Sequence, residues 1–87
     1  MKQFAVIVRD RQSEALRMSV GLTVLNDTVE IFITEKLAED ENAESHLKTI
    51  KDMELKIYST VSGTEFEYVS TEAMADKLLE YDGVLPY

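Results

Sequence analysis

Phe4-Ala5-Val6-Ile7-Val8 is an unbroken apolar run. Without alternation, such a run marks a strand covered on both faces, as at the centre of a parallel sheet. Arg9 to Ser13 is polar, with Asp10 or Ser13 available as N-cap. From Glu14 to Leu25 the spacing turns helical. Ala15, Met18, Ser19 and Leu22 make one face, and Leu16, Val20 and Val24 a second. So broad an apolar surface predicts contacts on more than one side.

Asn26-Asp27 breaks this helix, and Val29-Glu30-Ile31-Phe32-Ile33 supplies a second strand. Strand, helix, strand in that order implies a right-handed crossover and a parallel pair. Glu35 to Asn42 is an acidic, solvated connection. Ala43 to Met53 reads as a second helix on Ala43, Leu47 and Ile50, and Leu55 to Tyr58 as a third strand. Ser62-Gly63 marks a turn, and Phe66 to Val69 alternates like a half-exposed edge strand. The gap from Thr60 to Thr64 is shorter than the dozen residues of a parallel crossover, so strands three and four are expected to form an antiparallel hairpin. Ser70 or Thr71 caps a third helix, with Met74, Ala75, Leu78 and Leu79 expected inward. Gly83 to Tyr87 closes as a short strand whose proline suits a sheet edge.

These elements give an α/β class with a mostly parallel five-stranded sheet. At 87 residues the chain is one domain with a thin stability margin. It has no cysteine, hence no disulfide, thiolate or persulfide chemistry, and the lone His46 supplies no metal site by itself. Seventeen acids against nine bases give a net charge of −8, which argues against nucleic acid and anionic membranes as partners. The first apolar run is too short for a signal peptide or a membrane span, so a cytoplasmic protein is expected.

Candidate chemistry is sparse. Arg9, Arg11 and Ser13 lie where the first strand meets the first helix, the place where open α/β sheets bind ligands. Helix amides and two guanidinium groups there could hold a small anion; the competing reading pairs both arginines with surface acids. No glycine-rich phosphate loop is present, which disfavours a nucleotide. Ser59, Thr60 and Ser62 offer hydroxyls near the end of strand three, but as nucleophiles they have no positioned base, and turn chemistry accounts for them. No catalytic residue, metal or cofactor is assigned. The acids Glu35, Glu39, Asp40, Glu41 and Glu44 read as a solvated run, and the four tyrosines as core or interface aromatics.

Ala15-Leu16-Arg17-Met18-Ser19-Val20-Gly21-Leu22, then Asn26-Asp27-Thr28-Val29-Glu30-Ile31-Phe32, resembles the first helix and second strand of the DsrE/DsrF-like sulfur-relay family. The ending Lys77-Leu78-Leu79-Glu80-Tyr81-Asp82-Gly83-Val84 is similar to that family's closing pattern. The resemblance implies a three-layer α/β/α sandwich, Rossmann-like or flavodoxin-like, with strand one central and strand five beside it. It also implies assembly into dimers or larger complexes. Active members carry a cysteine after their central strands and a helix between strands three and four. Here Ser59 to Gly63 offers only hydroxyls, and that helix is missing.

The expectation is thus a non-catalytic interaction or assembly protein resembling those subunits. The alternative is a small-anion or small-molecule binding domain, or weak enzyme, at the end of strand one. Expected partners are a second copy, most simply in a two-fold dimer touching through Leu16 and Val20, and a cysteine-bearing protein.

Overall fold

A computed structural model describes residues 2–24, 28–37 and 41–87. The order is β1 (Gln3–Val8), α1 (Gln12–Val24), β2 (Thr28–Ile33), α2 (Glu41–Asp52), β3 (Lys56–Ser59), β4 (Glu67–Tyr68), α3 (Thr71–Leu78) and β5 (Gly83–Pro86). The five strands form one sheet in the order β4-β3-β2-β1-β5, and every neighbouring pair is parallel. The expected helix break at Asn26-Asp27 and the acids Glu39 and Asp40 lie outside the described residues.

Both faces of the sheet are covered. On one face Val6, Val8, Val29, Ile31, Ile33 and Ile57 are buried under Ala15 and Leu16 of α1 and Ala43 and Ile50 of α2. On the other, Ala5, Phe32 and Tyr58 are buried beneath Val69, Met74, Leu78 and Tyr81. The chain is therefore a three-layer α/β/α sandwich, and the unbroken apolar run of β1 follows from cover on both sides. Ser19, the one polar residue wholly buried in α1, donates its hydroxyl to the Ala15 carbonyl at 2.8 Å and needs no partner beyond the helix.

The expected hairpin is corrected: β4 runs parallel to β3, with Tyr58 opposite Glu67 and Ser59 opposite Tyr68. A dozen residues are needed to return along a whole strand, but β4 meets only the last two residues of β3. The seven residues from Thr60 to Phe66 suffice for that short return. The Ser59 hydroxyl tightens the bend, accepting from the Val61 amide at 3.0 Å and donating to the Val61 carbonyl at 3.2 Å. Gly63 turns it with a φ of 79°, in the left-handed region that glycine tolerates.

The third helix departs from expectation at its end. Ser70 caps it, accepting from the Ala73 amide at 3.1 Å, but it stops at Leu78 and buries no residue fully. Ala75 is exposed, and Leu79, expected inward, is 86% exposed as the C-cap. Aromatic rings fill the space beneath so short a helix. Phe32 stacks on Tyr58 at 5.1 Å between centroids and meets Tyr81 edge-on at 6.0 Å. The Tyr81 hydroxyl donates to Glu30, which also lies 3.9 Å from the Lys77 ammonium. Burial, then the Glu30 hydrogen bond and charge, push the Tyr81 phenol well above its ordinary value.

Two outcomes are expected. Phe32→Ala should destabilise the fold by about 3–5 kcal/mol in urea unfolding, a large share of the ~4–13 kcal/mol available to a domain of this size. The raised folded pKa of Tyr81 means its contribution is complete below tyrosine's ordinary value of about 10 and is lost as pH rises through the folded value. Thermal midpoints should fall above pH ~10, and Tyr81→Phe should flatten that fall; an unchanged slope would exclude Tyr81 as its source.

Candidate functional site

The strand order reverses between β1 and β5, so the crevice of an open α/β sheet lies where β1 ends and the chain turns into α1. In this protein that place is occupied by its own backbone. Tyr87 donates its amide to the Ile7 carbonyl at 3.0 Å, and its carbonyl accepts from the amides of both Asp10 and Arg11, each at 3.0 Å. The loop amides best placed to hold an anion are thus already satisfied.

The two arginines are held locally as well. Arg9 pairs with Asp10 at 3.6 Å, and Arg11 with Glu14 at 3.4 Å while its guanidinium lies 5.4 Å above the Tyr87 ring. All four charged side chains are more than half exposed, so each pair contributes about 0–1 kcal/mol. Ser13 is half-buried in the first turn of α1. Beside it, Gln12 donates its side-chain amide to the Lys36 carbonyl at 3.0 Å and ties α1 to the segment that follows β2.

The hydroxyl set lies elsewhere along the same edge. Val8, Ile33 and Ser59 are in register across β1, β2 and β3, so Ser59 sits two strand spacings, roughly 10 Å, from β1. Its side chain is wholly buried and occupied by the turn at Val61. Thr60 is half-buried and donates its amide to the Ile33 carbonyl at 3.0 Å, while Ser62 is exposed. The fold keeps the arginine and hydroxyl sets apart rather than joining them in one site. Of the expected interface pair, Leu16 is wholly enclosed in the core beneath α1 and presents no surface, and Val20 is half-buried against the same core.

One feature of the surface went unread in the sequence. A groove of about 420 Å³ runs beside α1, lined by Glu14, Arg17, Met18, Gly21 and Tyr87. The first four recur at helical spacing, a signal visible in the sequence. The neighbour that makes them a groove is Tyr87, brought alongside only because β5 pairs with β1.

Among the described residues no three His, Cys, Asp or Glu side chains cluster to hold a metal, and no helix is long and apolar enough to cross a membrane. No family model, curated protein or solved structure matches this chain.

The hydroxyls separate by role. Ser59→Ala should cost about 1–2 kcal/mol, because the Val61 amide loses its acceptor, whereas Ser62→Ala should stay within ~0.5 kcal/mol. Urea unfolding of the two variants measures the difference, and equal effects would refute the turn assignment.

Proposed function

We propose that this protein acts by binding other protein chains, as a cysteine-less counterpart of the DsrE/DsrF-like sulfur-relay subunits it resembles. The observation that carries this reading is the crevice at the β1 end, where the Tyr87 carbonyl takes the two loop amides that a small ligand would use. Exposed apolar side chains, Leu79 at 86% and Tyr68 at 58%, lend further support. In this reading the partners are a second copy and a protein that brings its own cysteine. The chain itself holds or shapes them. The reading also places it in the cytoplasm, a compartment that suits a fold without disulfides.

A persulfide needs a thiolate to form on, and a methionine thioether or a serine hydroxyl without a base does not replace it. Incubation with a persulfide donor should therefore leave the intact mass unchanged. Titration with sulfate and with inorganic phosphate, followed by amide NMR, should leave Asp10, Arg11 and Ser13 unmoved. A reductant-sensitive gain of one sulfur would defeat the reading. Saturable shifts at those three amides would favour the small-anion site instead.

A further inference from the structure

We propose that a second copy of this chain docks in the groove beside α1, in a two-fold dimer whose axis passes α1 between Glu14 and Met18. The proposal deepens the assembly reading above and rests on it.

The three glycines point to this surface by contrast. Gly63 is required by its left-handed backbone, and at Gly83 an added Cβ would lie 2.9 Å from the Phe4 ring. Gly21 has neither reason. It sits inside α1, it is exposed, and an added Cβ there would meet nothing within 4 Å. Glycine is the poorest helix former after proline, and none of the described residues gains packing from it here. What it does permit is close approach by another backbone from outside.

Met18 lies one turn earlier and is 43% exposed. Its flexible thioether suits an irregular recess. A two-fold axis beside α1 sets each Met18 against the partner copy's groove, so one patch supplies both the projection and the hollow. That is the self-complementarity an isologous contact requires.

Charge selects the same occupant. Two copies of a chain carrying −8 repel, and they meet at least cost through their least acidic surface. Residues 1–25 hold four bases (Lys2, Arg9, Arg11, Arg17) and two acids (Asp10, Glu14), while the remainder holds five bases and fifteen acids. All three arginines of the chain lie between positions 9 and 17. The groove itself is of mixed sign, with Glu14 and Arg17 both exposed and nearly one turn apart. Arg17 makes no ion pair among the described residues. An acidic partner would meet Glu14, and a basic one Arg17. A second α1 running antiparallel offers the opposite sign to each. The exposed Leu79 lacks this character, because Asp76 and Glu80 flank it and a copy would bring the same acids.

Sedimentation velocity from about 1 to 200 µM tests the proposal. The natural chain should show a concentration-dependent dimer. Gly21→Arg improves helix propensity and its Cβ meets nothing within 4 Å, so the variant should fold and associate at least ~10-fold more weakly. Glu14→Arg should also weaken the dimer, and adding Arg17→Glu should restore it. Leu79→Arg should leave association unchanged. A natural chain that stays monomeric throughout overturns the proposal, as does a Gly21→Arg variant that dimerises normally. Should Leu79→Arg alone dissociate the dimer, this interface is wrong while the assembly reading stands. Monomer together with saturable anion binding at Asp10 and Arg11 defeats both.

Discussion

A parallel sheet tolerates water poorly on either face, and among the described residues three helices cover five strands. Everything else is arranged around that shortage. The two longer helices seal one face with small and branched side chains, from Ala15 and Leu16 to Ala43 and Ile50. The opposite face receives eight residues of helix and is completed by rings. Phe32, Tyr58 and Tyr81 each cover more area than an aliphatic side chain would. The ammonium groups of Lys56 and Lys77 then lie over the Tyr58 ring, 5.3 and 5.1 Å from its centroid, and also pair with Glu67 and Glu30.

Those elements that carry their own periodicity were legible in the sequence. The unbroken run of β1, the spacing of α1 and the alternation before Ser70 are local signals, and each appears near its expected position. What escaped depends on more than one element at a time. The direction of β4 turned on how much of β3 it would meet, a quantity set by the sheet. Leu79 continues the apolar spacing of α3, but the helix ends one residue before it, so the pattern outlasts the structure that would bury it. Leu16 and Met18 are two residues apart and both apolar; only the position of α1 over β1 and β2 decides that one is core and the other surface.

The candidate site divides in the same way. That Arg9 and Arg11 would lie at the carboxyl end of β1 could be read from strand and helix order alone. That the amides beside them would be taken by a carbonyl more than seventy residues later in the chain could not, because it requires β5 to pair with β1 and extend one residue past Pro86. Pro86 lacks an N–H, and since Tyr87 donates inward to Ile7, the missing donor faces the open edge of the sheet. At the far edge β4 offers two residues, one of them Glu67. Both margins are thus poor templates for a further strand, which leaves helical surfaces as the natural place for contact between chains.

The bond between Gln3 and Asp82 sets the order in which this fold can be made. The Gln3 amide donates to the Asp82 carboxylate at 2.7 Å, and the Asp82 amide donates back to the Gln3 carbonyl at 2.8 Å, across 79 positions of chain. The central strand is therefore synthesised nearly eighty residues before its second neighbour. Until β5 arrives, one side of β1 is an open row of hydrogen-bonding groups on an apolar strand, the kind of nascent species that chaperones attend. Contacts this distant in sequence also raise the contact order and slow the search for the native state, so a small domain with a simple layer plan folds at the pace of its longest loop.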